Sequence, residues 1–389
     1  MLANSIPFSA EHGPDFFAQF PAAPAVFLLR GAEKNAEPYV GKTTSLKRRL
    51  QRLLSPPESQ SKRLNLRERA AQIEYTLTGS DFESVLLLYK ILRREFPKTY
   101  SKRLRLSPSP LVRLNLENSY PRAYVTTRLG RLSSQSLYYG PFRSRAVAER
   151  FLNDSLDLFK MRRCSFELNP DPAYPGCVYS EMKMCLAPCF KGCSDEEYAA
   201  EVKRVQDYFD SGGDSLIHEL EEERNRFSES LDFEAAAQRH TKITKIKGIL
   251  AAIDDICRRL EILDALIVQP CAEEKSVALF RFFQGQLAGP VHFQVELEGD
   301  QGPMDSRLRE AAERLGSEGG TRSATQFSEE LSLLKRWYYR SHKKGEIFPG
   351  KKQGELPFRK IANGIERVYR GEQLPTPQPL PENSESVPN

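Results

Sequence analysis

Apolar positions in this chain recur with two periods, and each period marks a kind of element. Residues 26–29 are an unbroken apolar run of strand length, followed by a polar loop, a second short strand at 38–40, Gly41 as a break and a basic amphipathic helix beginning near Thr44. The spacing predicts a β-loop-β-α unit. A further strand is expected at 73–78. Ser80 and Asp81 then offer an N-cap, with Glu83 in the first turn, for a helix that runs to about Phe96 and stops at Pro97. Phe82, Val85, Leu86, Leu88, Tyr89, Ile91 and Leu92 cover most of its circumference, so it is expected to be buried on most sides.

After a Pro/Ser-rich connector at 107–111, strand-like runs at 123–127 and 136–139 precede an amphipathic helix from about 144 to 159. Downstream, two helices are expected to join at 211–214, and a break at 231–233 turns the second into a hairpin. Leu220, Phe227, Leu231, Phe233, Ala236, Ile243 and Ile246 recur there at helical spacing. Residues 262–300 alternate apolar and polar, with turns at 272–275 and 285–286, which predicts three antiparallel strands. A helix near 328–340 and the segment EIFP follow, and the final GEQLPTPQPLPENSESVPN has the composition of a disordered tail. The fold class is α+β: a small mixed sheet, a cysteine module, a helical hairpin and a small β-rich domain.

Composition narrows this only slightly. A chain of 389 residues with 40% hydrophobic content is long enough for two or three cores. No apolar run approaches the roughly 18 residues a membrane span requires, and the first residues carry neither a basic stretch nor a long apolar core, so a cytoplasmic location is expected. The net charge of +5 names no partner by itself, but its distribution is uneven. Lys42, Lys47, Arg48, Arg49, Arg52, Lys62, Arg63, Arg67 and Arg69, then Arg93, Arg94, Lys98, Lys102, Arg103 and Arg105, are interrupted by few acids. Such runs are either a solvated face or a phosphate-binding surface without base readout.

Five of the seven cysteines lie between 164 and 193. Cys164, Cys177, Cys185 and Cys189 are spaced C-x12-C-x7-C-x3-C, with Cys193 three residues further on. A short x3 spacer lets two thiolates converge on one metal while the longer spacers bring the others from separate elements. A disulfide framework would need an oxidising compartment, and unrelated buried thiols are a second alternative. Four thiolates serve zinc and an iron-sulfur cluster equally, so spacing leaves the metal open.

The order AVF, EPYVGKT, SLKRRL and a buried helix resembles the GIY-YIG nuclease domain, and the chain to about residue 350 resembles the N-terminal part of the UvrC family. Tyr39, Gly41, Lys42 and Arg49 match that domain's second motif, the following lysine and the helix arginine. Three positions depart from it: Phe27 stands where a tyrosine is expected, Leu53 replaces the second-helix tyrosine, and Leu88 occupies the place of the metal-holding glutamate. Phenylalanine carries no proton to exchange and leucine cannot ligate Mg²⁺. The resemblance therefore implies a nuclease fold without cleavage, unless Glu83 or Glu95 supplies the carboxylate from another turn and Mg²⁺ still binds.

YYGPFRS and MCLAPC resemble the family's stretch leading to a four-iron four-sulfur cluster, which favours that cluster over zinc on Cys164, Cys177, Cys185 and Cys189, with Cys193 extra. LDFEAAAQRHTKI resembles the UVR motif and implies docking of a UvrB-like partner by Leu231, Phe233, Glu234, Ala236, Ala237, Arg239 and Ile243, with His240 where aspartate is expected. No counterpart of the family's RNase H-like second nuclease domain or helix-hairpin-helix modules is read in the chain. The domains implied are a GIY-YIG-like domain at 20–105, a cysteine-cluster module at 106–200, a UVR-type hairpin at 201–258, a β-rich α+β domain at 259–350 and a largely disordered tail at 351–389. The function implied is DNA binding in nucleotide excision repair, with Lys42, Lys47, Arg48, Arg49 and Arg52 on DNA. An endonuclease making one incision near a lesion, and an interaction protein that binds no DNA, are the alternatives.

Overall fold

The computed structural model describes residues 2–33, 36–56, 64–130, 135–296, 302–317, 323–350 and 354–372. Its first sheet is antiparallel, with strands β1 (Asn4–Pro7), β2 (Ala25–Arg30), β3 (Tyr39–Thr43) and β4 (Gln72–Leu77) in the order β1-β4-β2-β3. The apolar run of β2 is unbroken because both faces are covered. Ala25, Phe27 and Leu29 pack with helix α1 (Leu46–Leu54), while Val26 and Leu28 pack with Ile91 of helix α2 (Asp81–Glu95). Ser80 caps α2 as expected, its hydroxyl accepting from the Glu83 backbone N–H at 3.1 Å.

Gly41 is not a break. It sits inside β3 opposite Phe27, and a Cβ there would lie 3.3 Å from two atoms of the Phe27 ring, so the glycine makes room for that ring.

The short helix α3 (Tyr100–Leu104) leads into a second antiparallel sheet. Its strands β5 (Leu111–Asn115), β6 (Arg122–Thr126), β7 (Ser136–Gly140) and β8 (Arg258–Arg259) take the order β6-β5-β7-β8. β5 begins where only a connector was expected; Leu111, Val112 and Leu114 are buried in it. Helices α4 (Arg145–Leu156), α5 (Val178–Glu181), α6 (Asp195–Asp210), α7 (Asp214–Glu229) and α8 (Phe233–Ala251) follow. A single core takes in β5, β7, α4, α6 and the inner face of the α7–α8 hairpin, through Leu216, Leu220, Ile243, Ile246 and Ile249.

The third sheet carries β9 (Asp264–Pro270), β10 (Ser276–Phe283), β11 (Gln286–Gln294) and β12 (Glu346–Pro349) in the antiparallel order β11-β10-β9-β12. Helices α9 (Met304–Ser317), α10 (Ala324–Tyr338) and α11 (Phe358–Tyr369) cover it. α11 corrects the expectation of a disordered tail from residue 351, because Ile361, Ile365 and Val368 are spaced to bury one stripe on the sheet. Residues 373–389 lie outside the described residues. The first and third sheets are joined through α2, whose Phe82, Tyr89 and Leu92 share a core with Phe280, Leu331 and Trp337. Among the described residues no helix is long and apolar enough to cross a membrane.

Candidate functional site

Adjacent elements carry the residues expected to match the GIY-YIG motifs. Tyr39 opens β3 and Arg49 lies on α1, and the Arg49 guanidinium Nη2 donates to the Tyr39 hydroxyl at 2.6 Å. Lys42, at the far end of β3, pairs with Asp81, which also takes Arg340. Partial burial opposes ionisation of Asp81, but Lys42 and Arg340 outweigh it and hold the carboxyl below its usual range.

The three divergent positions are apolar and packed. Phe27 and Leu53 are buried in the α1 core, and Leu88 is half-buried against the core on the α2 side with Val40. Neither candidate replacement carboxylate joins Tyr39 and Arg49. Glu83 accepts from the Gly79 backbone N–H at 2.8 Å, and Glu95 is held by Arg30 at 3.0 Å and Arg94 at 2.7 Å.

Between the first domain and the third sheet lies a cleft of about 690 Å³. One wall carries Lys42, Arg48, Arg49 and Arg52, the other Arg340, His342, Lys343 and Lys344, and Asp81 is the acid on its lining. Gln269 also lines the cleft; it is fully buried, yet both its amide nitrogen and its amide oxygen lack a hydrogen-bond partner. Ser45 Oγ and Arg49 Nε are likewise buried and unpartnered. Unsatisfied polar atoms cost free energy unless a ligand or water meets them. Burial pushes the Lys343 ammonium down, and the group sits 3.9 Å from the Tyr338 ring centroid.

Sequence reasoning named only one wall. The run RSHKKG was visible, but nothing local connects it to α1. Other expected cations have different work. Lys47 does not line the cleft, Lys62 and Arg63 lie outside the described residues, and Arg103 pairs with Glu37. Arg67 is a strut, buried and donating to the carbonyls of Leu54 at 2.7 Å and His12 at 2.9 Å.

The cysteines converge from several short elements. Cys177 caps α5, Cys189 lies in the 3-10 turn Pro188–Phe190, and together with Cys164 and Cys185 they line one small cavity. Ala187 and Lys191 flank that turn with left-handed backbone, φ +57° and +60°, which folds the chain tightly around the sulfurs. Burial pushes the Cys185 thiol up to about 11, with Cys164, Cys189 and Cys177 adding to the shift.

Beside them lies Arg162, 1% exposed. Its guanidinium donates to the carbonyls of Tyr120 at 2.8 Å and Phe166 at 3.0 Å and to Cys164 Sγ at 3.3 Å, with a longer contact to the Cys164 carbonyl at 3.4 Å. A buried cation bonded to carbonyls and sulfur fits a net-negative centre of four thiolates. Cys193 stands apart from the cavity and packs on the middle core.

At the tip of the α7–α8 hairpin, Leu231 is 73% and Phe233 65% exposed. Glu234 and Ala237 are exposed beside them, and Ala236 is half-buried. Arg239 pairs with Glu223 of its own hairpin at 2.5 Å, over the Phe227 ring. Ile243, expected on a docking face, is instead 2% exposed in the middle core. Helical period groups it with Phe233 only loosely, and the partners of α8 decide which residues face inward.

Comparison with known proteins follows the same divisions. Residues 23–100 match the UvrC-like GIY-YIG domain, residues 110–208 the middle domain of the UvrC/Cho excinuclease, and residues 214–249 the UvrB/UvrC motif. UvrABC system protein C of Carboxydothermus hydrogenoformans is 29% identical over 271 residues, covering 69% of this chain and 44% of that protein. Its counterpart in Stenotrophomonas maltophilia is 27% identical over 303 residues, covering 78% and 48%, and that of Methanothermobacter thermautotrophicus 30% identical over 233 residues, covering 60% and 38%. The chain thus spans less than half the length of these relatives. No solved structure matches it. With the GIY-YIG domain, the middle domain and the UVR motif in succession on the elements described above, the chain belongs to the UvrC family.

Proposed function

We propose that this chain is a DNA-binding protein of nucleotide excision repair that does not cleave, and that it docks a UvrB-like partner through the tip of the α7–α8 hairpin. The observation that carries the reading is the cleft. Arg48, Arg49 and Arg52 line the same cleft as Arg340, Lys343 and Lys344, and the lining acid, Asp81, is already paired. Cations so placed neutralise phosphates and release their counterions, which gives affinity without base readout.

Loss of cleavage follows from chemistry at three positions: Phe27 has no hydroxyl, and Leu53 and Leu88 offer no oxygen to a metal or a proton. The four cysteines would hold an iron-sulfur cluster, or zinc, as a cross-link between the second sheet and the helices that follow it.

Duplex binding measured against salt tests the reading. Affinity should fall linearly on logarithmic axes, and Arg48→Glu, Arg49→Glu and Arg52→Glu together should lower the slope by about 3 and weaken binding at least about 100-fold at low salt. Salt-independent association, or none, would favour a pure interaction protein. One observation supports a second reading, a single-incision endonuclease: Asp81 shares the cleft with Lys42 and Arg49. Mg²⁺- or Mn²⁺-dependent nicking of damaged duplex in the presence of UvrA and UvrB, lost in Asp81→Asn, would establish that reading. For docking, Phe233→Glu should abolish the complex with a UvrB-like hairpin while leaving stability within about 0.5 kcal/mol, because the side chain is exposed.

A further inference from the structure

On the other side of the joint between α2 and the third sheet, a second group of metal-ligating side chains comes together. Cys271 and Glu273 lie in the turn between β9 and β10, His292 is on β11, and their donor atoms are all within 4.8 Å of one another. The register explains the meeting. Ala278 of β10 pairs with His292 on one side and Gln269 on the other, so His292 and Gln269 share a face of the sheet, and Cys271 follows two residues beyond Gln269. His292 Nδ1 lies 2.5 Å from Glu273 Oε1, and Cys271 Sγ accepts the Glu273 backbone N–H at 3.4 Å.

The opposite ring nitrogen points to a buried carboxylate. Glu83 of α2 is 4% exposed; one oxygen accepts from Gly79, and the other lies 4.0 Å from His292 Nε2. A carboxylate behind the free nitrogen of a metal-bound histidine is the arrangement that fixes the ring's tautomer and orientation.

We propose that Cys271 Sγ, a Glu273 carboxylate oxygen and His292 Nδ1 bind a zinc-class divalent cation, with Glu83 as the carboxylate that orients His292. One sulfur, one nitrogen and one oxygen suit zinc better than magnesium or calcium, which take all-oxygen shells. Three protein ligands leave a fourth position for water or a partner group. The site would tie α2 of the first domain to the third sheet next to Gly79, whose backbone also borders the basic cleft. It is separate from the four-cysteine centre, and its argument does not depend on DNA binding.

The test uses the full chain, purified anaerobically with the four-cysteine centre as it occurs, and dialysed against micromolar zinc. Elemental analysis should find one more zinc per chain in the wild type than in Cys271→Ser/His292→Ala, with circular dichroism showing both folded. Cobalt(II) in place of zinc should give tetrahedral d–d bands and a thiolate charge-transfer band that Cys271→Ser removes while the absorbance of the other centre stays. Glu273→Gln should weaken cobalt binding about tenfold or more, and Glu83→Gln less than the loss of a direct ligand. Equal zinc content in wild type and double variant, or cobalt bands that survive Cys271→Ser, would overturn the proposal.

Discussion

In the first domain, positions 27, 53 and 88 carry Phe, Leu and Leu, and their side chains have sunk into the packing around β2. In the middle of the chain, Cys164, Cys177, Cys185 and Cys189 still line one cavity, with the buried Arg162 guanidinium bonded to Cys164 Sγ. In the first region these three positions serve packing. The second keeps polar, ionisable groups where an apolar core would be cheaper, and such an arrangement persists only with something to balance it. The difference teaches that the first region rests on hydrophobic burial, whereas the second sets a buried guanidinium beside four thiols, where a bound metal would supply the charge balance.

Substitutions can break that contrast, and the largest effect is expected at Arg162. Arg162→Met should destabilise the metal-loaded protein by about 3 kcal/mol, as expected for removing one member of a buried charge pair, and lower its metal content. Chemical denaturation of loaded and metal-free protein checks this; an equal loss in both would mean that the guanidinium serves only the carbonyls of Tyr120 and Phe166. Next comes restoration of the first site. Phe27→Tyr places a hydroxyl in a fully buried setting and should cost about 1–3 kcal/mol. Combined with Leu88→Glu it should still give no nicking in a Mg²⁺ assay, because Leu53 remains; recovered incision would show that packing had not displaced the site.

The smallest effect sharpens the role left to the first domain. Lys343→Ala with Lys344→Ala removes cations from the opposite wall of the cleft. It should lower the salt slope of DNA binding by about 2 and weaken affinity about tenfold, without changing the fold. An unchanged slope would confine phosphate contacts to α1 and the first domain.

Much of the local architecture was legible in the sequence. The apolar run at 26–29, the Ser80 cap, the hairpin break before Phe233 and the three strands after 262 each follow from a short pattern whose cause is local. β5, α9 and α11 were not read. Residues 111–115 alternate over too few positions to declare a strand, and the α11 stripe sits beside a Pro-rich tail whose composition dominated. The cysteine spacing was informative because metal ligation imposes its own geometry on the chain.

What the sequence by itself determined is the kind of each strongly periodic element and the identity of the groups that carry chemistry. Period and side-chain type are properties of a few neighbouring residues. Tertiary structure alone decided which of those groups come together: Arg48 and Lys344 on the lining of one cleft, Arg162 with the Tyr120 carbonyl, Glu83 with His292, and Ile243 with its own core rather than a partner. These pairings span tens to hundreds of residues. They depend on how sheets and helices bury one another's apolar faces, and that is a balance over the whole chain which no local pattern encodes.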